Sequence, residues 1–284
     1  MRIVVTGTRG LLGAAIGREF GSDHELLGLD RAGLDITNSE AVETAIASSS
    51  PDVLINCAAD NDVDGAEDDP ARALCVNAFG VRALARASTA AGAVLVHFSS
   101  DFVFDGETDR PYTEEDRPNP RGAYGASKLL GEWFALESPR TYVLRVESLF
   151  GPPAPGGSRR GSLGTIVDRI REGADVPVFV DRIVSPSYTP DIARAVRALL
   201  EKGVSPGLYH CVNDGCATWK EIAERAAALM GIELRMRALT LETASLRAKR
   251  PRYCAMSNAK LAAAGIRLRP WEEALEEFLL ERTP

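Results

Sequence analysis

The chain has 284 residues, of which 45% are hydrophobic and 26% are charged, as is typical of a globular protein with a large core. Its net charge of −7 excludes a general electrostatic attraction to nucleic acid or to an anionic membrane surface. No apolar run approaches the roughly 20 residues of a membrane span. The five cysteines form no CxxC pair and accompany only three histidines, so we expect free, buried thiols and no metal site. The first residues show no leader-peptide pattern, which together with free thiols predicts a cytoplasmic protein.

The first half of the sequence alternates short apolar runs with longer amphipathic segments. The predicted strands span residues 3–6, 25–30, 53–57, 94–98 and 142–146, and the predicted helices span 11–20, 37–49, 70–91 and 122–137. Two helix starts are marked by capping-box spacing from Thr37 to Glu40 and by Asp69 before Pro70. Apolar strands that alternate with helices predict an α/β fold with a doubly wound, Rossmann-type parallel sheet.

The second half has a different texture, which begins with a Pro/Gly-rich loop at residues 151–161. Beyond this loop the elements are shorter and mixed, with helices expected near 165–172, 190–201, 219–230 and 270–281. We therefore expect a first domain at residues 1–146 and a smaller mixed α/β C-terminal lobe at residues 147–284. Segments near 175–202 are expected to return to the first domain.

Three glycines lie between the first predicted strand and the first predicted helix, at Gly7, Gly10 and Gly13. Glycine permits a tight turn and lets the backbone approach a pyrophosphate, which the N-terminus of the following helix attracts. The pattern predicts that residues 1–146 bind a dinucleotide.

The end of the second predicted strand bears on which dinucleotide is bound. Asp30 stands where a carboxylate accepts hydrogen bonds from a ribose, which favours NAD. Arg31 beside it, and Arg9 in the glycine loop, suit the 2′-phosphate of NADP. The cofactor is therefore expected to be NAD or NADP.

Tyr124 and Lys128 are four residues apart on a predicted helix and therefore share one face. Ser100 follows the fourth predicted strand, at the edge where doubly wound sheets bind ligands. The three residues predict a carbonyl-reducing site that uses the reduced cofactor as hydride donor. Tyr124 would give a proton to the carbonyl oxygen, and Ser100 would polarise the carbonyl. Lys128 would hold the nicotinamide ribose and lower the tyrosine pKa, which is ordinarily near ~10.

At these motifs the chain resembles the dTDP-4-dehydrorhamnose reductase family, a group of extended short-chain dehydrogenases/reductases. The resemblance covers essentially the whole chain. It is carried by the glycine loop, by the Tyr124–Lys128 pair and by the segments 51–59, 63–67, 99–106, 185–191, 250–252 and 270–271. The family reduces the 4-keto group of a dTDP-linked 6-deoxyhexulose with NADH or NADPH, in the synthesis of dTDP-L-rhamnose. The resemblance thus implies an enzyme of nucleotide-sugar biosynthesis.

The motifs and the resemblance together assign roles to individual residues. The implied catalytic residues are Ser100, Tyr124 and Lys128. The implied cofactor-binding residues, besides Tyr124 and Lys128, are Gly7, Gly10, Leu11, Leu12, Gly13, Asp30, Arg31, Asp35, Ile36, Ala58, Ala59, Asp60 and Phe98. The implied substrate-binding residues are Val63, Asp101, Ser148 and Arg250.

The chain departs from the family pattern at three of these positions. Ser100 stands where the family usually has threonine, which keeps the hydroxyl. Ser148 stands where the family often has a tryptophan that packs on the sugar, and Asp60 replaces a frequent histidine. The sugar, the nucleotide base and the choice between NADH and NADPH are left open.

Four basic side chains stand within residues 247–252 of this acidic chain. They could clamp the diphosphate of a nucleotide sugar or form a solvated loop, and both interpretations are kept. Arg159 and Arg160, in the Pro/Gly-rich loop, are a candidate lid over the substrate.

Other functions of the same fold are also kept. A sugar-nucleotide epimerase would retain its NAD and need no added cofactor, and a regulatory subunit would bind NADP without turnover. A 4,6-dehydratase is disfavoured, because Phe102 stands where such enzymes have glutamate. The expected partner is a nucleotide-sugar substrate, with no nucleic acid and no membrane, and a homodimer is left as an option.

Overall fold

Parallel strands from both halves of the sequence form the central sheet. The computed structural model describes residues 1–156 and 161–282. Its strands, in chain order, are β1 (Arg2–Thr6), β2 (Glu25–Leu29), β3 (Val53–Asn56), β4 (Val94–Ser100), β5 (Thr141–Val146), β6 (Leu149–Phe150), β7 (Val176–Phe179), β8 (Ile183–Val184), β9 (Ser187–Tyr188), β10 (Gly207–His210), β11 (Ala217–Thr218) and β12 (Met236–Leu239). Within these residues six strands pair in the order β2-β1-β3-β4-β5-β10, and every pair is parallel.

Helices cover both faces of this sheet. They are α1 (Leu11–Phe20), α2 (Ser39–Ser49), α3 (Gly65–Asp68), α4 (Pro70–Leu74), α5 (Val81–Ala90), α6 (Ala123–Leu136), α7 (Gly161–Arg171), α8 (Thr189–Lys202), α9 (Trp219–Met230), α10 (Ala259–Ala263) and α11 (Trp271–Leu280), with a π-helical segment at Cys75–Gly80 between α4 and α5. None of the helices described is long and apolar enough to cross a membrane.

Alternate residues of β1 belong to different cores, because successive strand side chains point to opposite faces. Val5 packs with α1 and α8 on one face, whereas Val4 packs with α2 and α5 on the other. From β1 the chain adds β2 on one side, and it then crosses back to add β3 on the other side of β1. These two covered faces and this reversal confirm the predicted doubly wound sheet, and they predict a ligand site at the carboxyl ends of the strands.

A second hydrophobic core lies beside the sheet, where α7, α9 and α11 meet around Val167, Ile222 and Phe278. Short strand pairs complete this lobe: β7 with β12, β8 with β11 and β6 with β9. The chain joins the first core again at α8, which contacts α1, and at β10, which pairs with β5. The second half of the chain therefore forms a core of its own and also contributes α8 and β10 to the first one.

The start of α2 differs from the sequence expectation. Asn38 caps the helix, since its side chain accepts the N–H of Ala41. Thr37 is not the cap, because its hydroxyl donates to Asp35. Asp69 caps α4 as predicted.

The five cysteines are free thiols, as expected. Cys211 and Cys254 are buried, but Cys75 and Cys216 are exposed, so the expectation of buried thiols was wrong for these two. Cys75 begins the π-helical segment on its solvent side, and Cys216 lies in the loop before β11.

Candidate active site

A cavity of about 410 Å³ opens at the carboxyl ends of β1, β3, β4 and β5, where such sheets bind ligands. The predicted site residues that line it are Gly10, Leu11, Leu12, Gly13, Ala58, Ala59, Val63, Phe98, Ser100, Asp101, Tyr124, Lys128 and Ser148. The predicted site residues that do not line it are Gly7, Asp30, Arg31, Asp35, Ile36, Asp60 and Arg250. The structure thus brings the predicted catalytic trio and most of the pyrophosphate loop into one space.

The glycine loop lies tightly against β3. Gly7 has a φ of +72°, and a Cβ there would lie 2.6 Å from the backbone of Cys57 and Ala58. A Cβ at Gly13 would lie 2.3 Å from the Gly7 carbonyl oxygen. The fold itself therefore requires glycine at both positions.

Gly10 differs from the other two glycines, because a Cβ there would meet nothing closer than the Gly7 carbonyl oxygen at 3.4 Å. Gly10 is the N-cap of α1, where no side-chain hydrogen bond caps the helix and no acidic residue occupies the first turn. The space beside Gly10 and the positive end of α1 both face the cavity. This combination fits the pyrophosphate of a dinucleotide.

The predicted catalytic side chains converge on the same cavity. Ser100 ends β4, which continues beyond residue 98 because it stays paired with β5, and Tyr124 and Lys128 lie on α6. The Tyr124 hydroxyl donates to Asn61 Oδ1 at 3.3 Å, and Lys128 Nζ donates to the Phe98 carbonyl oxygen at 2.7 Å. A phenol, a hydroxyl and a cation therefore meet at one place, as proton transfer to a carbonyl requires.

Burial governs the titration of the phenol and the ammonium. It lowers the pKa of Lys128 to about 8, although the charge of Glu132, one turn further along α6, opposes this. It raises the pKa of Tyr124, with the charge of Asp101 adding to the rise and Ser100 opposing it. The shift is opposite to the one expected from Lys128, because the phenolate loses its solvation. Tyr124 is therefore a neutral phenol, able to donate a proton, at physiological pH.

Asp30 shapes the turn that follows β2. Its Oδ1 accepts the N–H groups of Ala32 and Gly33 at 3.0 Å each, and its Oδ2 lies 3.6 Å from Arg9 Nη1. Arg31 is exposed beside this turn. One carboxylate oxygen thus lies beside an arginine at the surface, outside the cavity.

Asp35 and Ile36 make structural contacts of their own. Asp35 Oδ1 accepts the N–H and the hydroxyl of Thr37 at 3.0 and 2.8 Å, and these bonds lower the pKa of the carboxyl. Ile36 is buried, and a Cβ at Gly80 would lie 2.9 Å from its side chain. Both residues hold the loop before α2 in place.

Asp60 ties the segment after β3 to neighbouring helices. Arg72 Nε donates to Asp60 Oδ2 at 2.8 Å. Asn77 accepts the Asp60 N–H and donates to the Asp60 carbonyl oxygen, both at 2.9 Å, and it also donates to Ser127 Oγ at 3.0 Å. The carboxylate of Asp60 is thus engaged by an arginine and does not face the cavity.

Val63, Asp101 and Ser148 line the same cavity as the trio. Asp101 is buried, and its Oδ1 accepts the hydroxyl of Ser100 at 2.8 Å. Ser148 has a φ of +45°, a left-handed conformation that a residue other than glycine adopts only when its surroundings hold it there. The candidate lid residues at 159–160 lie outside the residues that the structure describes.

Arg250 lies at a second cavity of about 910 Å³. The charged residues lining that cavity are Asp105, Glu107, Asp109, Arg121, Lys249, Arg250 and Arg252. The Arg250 guanidinium lies 5.7 Å from the centre of the Phe102 ring, and Phe102 lines the first cavity. Arg247 pairs with Asp68, and Arg250 pairs with Asp64 Oδ2 at 2.9 Å. A cavity that contains four basic side chains therefore adjoins the catalytic one across a single aromatic ring.

Three residues near the trio were not anticipated from the sequence: Asn61, Glu147 and Arg182. Glu147 directly follows β5 just as Asp101 directly follows β4, and the two strands are neighbours. The carboxyl-edge rule that selected Ser100 could therefore also have selected Glu147. Arg182 reaches Asp101 from the loop between β7 and β8, and no local sequence signal marks it.

The sequence is closely similar to known proteins along its whole length. The family model described as RmlD substrate binding domain matches residues 1–283. The chain is 38% identical to a dTDP-4-dehydrorhamnose reductase of Streptomyces griseus, covering 97% of this chain and 92% of the relative. It is 34% identical to the spore coat polysaccharide biosynthesis protein SpsK of Bacillus subtilis (strain 168), covering 99% and 98% of the two chains.

Solved structures share the fold. A dTDP-4-dehydrorhamnose reductase from Bacillus anthracis str. Ames, crystallised in complex with NADP, superposes with a TM-score of 0.92 at 31% identity over 99% of each chain. A UDP-glucose 4-epimerase from Thermus thermophilus in complex with NAD superposes with a TM-score of 0.85 at 22% identity over 98% of each chain, which shows the common fold alone. Because the family model and the relatives span nearly the whole chain, the protein belongs to the RmlD substrate binding domain family, which confirms the family predicted from the motifs.

Proposed function

We propose that the protein reduces the 4-keto group of a nucleotide-linked 6-deoxyhexulose with NADH or NADPH, a reaction of nucleotide-sugar biosynthesis. The observation that carries this proposal is that Ser100, Tyr124 and Lys128 line one cavity with the N-terminus of α1. Relatives that match nearly the whole chain are named dTDP-4-dehydrorhamnose reductase. The site and the relatives therefore support the same reaction class.

The first half of the chain has the features that hold a nicotinamide dinucleotide. The turn at Gly10 would hold the pyrophosphate, and Ala58 and Phe98, after β3 and in β4, would flank the cofactor. Asp30 and Arg9, side by side at the end of β2 and in the glycine loop, support recognition of the adenosine half of NAD or of NADP. When bound in its reduced form, the cofactor supplies the hydride for the carbonyl carbon.

Tyr124 supplies the proton. It is a neutral phenol held by Asn61, and it transfers its proton to the substrate oxygen as negative charge develops there. The Ser100 hydroxyl polarises the carbonyl. The ammonium of Lys128 stabilises the phenolate that Tyr124 becomes.

The substrate extends from the catalytic cavity into the basic one. The sugar lies against Val63, Asp101 and Ser148, and the diphosphate lies near Arg250 in the adjoining cavity. Phe102 supports this arrangement, since its ring contacts Arg250 and also lies edge-on to Tyr124 at 5.3 Å. In this proposal residues 1–146 bind the cofactor and residues 147–284 mainly bind the substrate, as the sequence predicts.

We further propose a cytoplasmic homodimer with no nucleic-acid or membrane partner. The net charge of −7 supports the absence of such partners. Phe79, Trp133 and Leu136 are 50%, 60% and 42% exposed on neighbouring helices. Large apolar side chains grouped in this way are typical of an interface, and we assign the face to a second copy of the chain.

The test is the oxidation of NADH and NADPH with a dTDP-4-keto-6-deoxyhexose, with and without a 3,5-epimerase. We expect oxidation that requires the epimerase and that falls by about 10²- to 10⁴-fold in Tyr124→Phe. Tyr142→Phe is the matched control, because its hydroxyl donates to the Val204 carbonyl oxygen outside the cavity. Retained NAD with no net oxidation would instead indicate an epimerase. Cofactor binding without turnover of any keto sugar would indicate a regulatory subunit.

A further inference from the structure

A buried pair of carboxyl groups lies behind Ser100. Asp101 and Glu147 are 3% and 2% exposed, and one carboxylate oxygen of each lies with Cys254 Sγ in a cluster whose atoms are all within 4.8 Å of one another. Asp101 Oδ2 and Glu147 Oε1 are both buried and have no hydrogen-bond partner among the described residues. Two buried carboxylates this close are unfavourable unless something offsets their charge.

One arginine faces these two carboxyl groups. Arg182 Nη2 lies 3.5 Å from Asp101 Oδ2, and Glu147 Oε2 accepts the N–H of Ser185 at 2.7 Å. The other titratable groups around the pair are Tyr124, Cys216, Tyr253 and Cys254, and Arg250 lies beyond Arg182. The single positive charge of Arg182 offsets only one of the two carboxylates, which leaves one negative charge buried. One proton bound by the pair would neutralise that remaining charge.

A proton accounts for the pair better than a metal ion does. Arg182 already supplies a positive charge where a metal ion would bind, since it lies against Asp101 and also donates to Cys254 Sγ at 3.4 Å. Burial raises the pKa of Asp101 and raises that of Glu147 well above its ordinary value. Carboxyl groups this close do not both ionise readily, and they titrate as one coupled unit.

The pair is connected to the catalytic phenol. Asp101 Oδ1 accepts the Ser100 hydroxyl at 2.8 Å. Ser100 and Tyr124 line the same cavity, and Ser100 opposes the rise in the pKa of Tyr124. Each reduction takes one proton from Tyr124 and leaves a buried phenolate, which must regain a proton before the next turnover. Ser100 is the hydroxyl that joins this phenolate to the carboxyl pair.

We propose that Asp101 and Glu147 share one proton and pass it through Ser100 to Tyr124 after each reduction. This inference rests on the proposed ketoreduction. The phenolate takes the Ser100 proton, Ser100 takes the shared proton, and solvent returns one proton to the pair, so that one solvent proton enters per turnover and no electrons move. Glu147 acts on Tyr124 through Asp101 and Ser100.

The first experiment compares single and multiple turnovers of Glu147→Gln by stopped flow. We expect the first turnover to stay within about twofold of the wild type, because Tyr124 starts with its proton. Later turnovers slow by about tenfold or more, which gives a burst of one oxidised nicotinamide per site that the wild type lacks, and a larger solvent deuterium effect. Cys254→Ala, in the same cluster, is the control and shows no burst. Equal slowing of the first and later turnovers, or no slowing, overturns the relay.

The second experiment needs no turnover. The infrared spectrum of the wild type at neutral pH is expected to contain a carboxylic-acid C=O band that Glu147→Gln lacks, and absence of this band overturns the shared proton. If the glutamine variant does not fold, Glu147→Asp takes its place in the turnover experiment, because its shorter side chain breaks the contact while keeping an acid. A wild type that reduces no keto sugar overturns the proposed function itself, whereas an active wild type without the band overturns this inference alone.

Discussion

Lys128 is a buried cation, and its charge depends on pH within the working range of an enzyme. Burial lowers its pKa from 10.5 to about 8, so raising the pH through about 8 removes the positive charge. We expect the affinity for NADH and NADPH to be constant below that pH and to fall above it, because the neutral amine attracts the cofactor less. Fluorescence titration of the reduced cofactor at a series of pH values measures this.

Lys128→Met provides the control for that titration. The variant should bind the cofactor more weakly at every pH and should show no inflection near 8. An inflection that persists in the variant would assign the titration to another group.

Glu132 and Arg145 form a buried ion pair, each 2% exposed, with bonds of 2.8 and 2.7 Å between them. Removing one charge of such a pair leaves the other unbalanced. We expect Glu132→Gln to lower the free energy of unfolding by about 3–5 kcal/mol. Urea denaturation measures the change.

The exposed pair Lys220–Glu224, at 3.7 Å on α9, is the comparison. Glu224→Gln should change the free energy of unfolding by less than about 0.5 kcal/mol, because solvent screens this pair. Similar losses in the two variants would show that burial does not determine the strength of the Glu132–Arg145 pair.

At the scale of elements, glycine has opposite effects on stability in the loop before α1 and within α1 itself. Gly7→Ala would strain a φ of +72° and place a Cβ 2.6 Å from the backbone of Cys57 and Ala58, which follow β3. We therefore expect a loss of about 1–3 kcal/mol in the free energy of unfolding. Gly17→Ala, in the middle of α1 with nothing within 4 Å of its Cβ, should instead gain about 0.5–1 kcal/mol. Thermal or urea unfolding of the two variants measures the loss expected for Gly7→Ala and the gain expected for Gly17→Ala. A loss at Gly17 would contradict this account of the helix.

The elements also show where local sequence signals suffice. The bounds of α1 and α9 match their prediction, because each has apolar residues at helical spacing and a clear start. The start of α2 did not match its prediction, because Asn38 and Thr37 can both cap a helix. The hydroxyl of Thr37 bonds to Asp35 instead, which leaves Asn38 as the cap. The end of β4 was missed because pairing with β5 sets it.

At the scale of the whole molecule, the apolar face at Phe79, Trp133 and Leu136 leads to a prediction about assembly. Trp133→Glu should convert the proposed dimer to a monomer, because it places a charge at a position that is 60% exposed in the single chain and that the second copy would cover. Light scattering coupled to size exclusion measures the mass. Leu280→Glu is the matched control, since Leu280 is 74% exposed on α11 and should leave the mass unchanged. A monomeric wild type would contradict the proposed interface.

The sequence by itself determined the first five strands of the sheet, the glycine loop and the positions of Ser100, Tyr124 and Lys128. Each depends on neighbours within a few residues: strand and helix periodicity, the steric freedom of glycine, or the spacing of one helical turn. These local relations do not change when the rest of the chain folds, so they can be read before the structure is known.

Only the tertiary structure decided what surrounds that trio. Arg182 meets Asp101 across the two lobes, Arg72 engages Asp60, and Arg250 contacts Phe102 beside a second cavity. The pKa directions of buried groups also emerge only here, because desolvation depends on every element packed around a side chain. Contacts between residues far apart in sequence follow from how the lobes pack, and no local pattern encodes that packing.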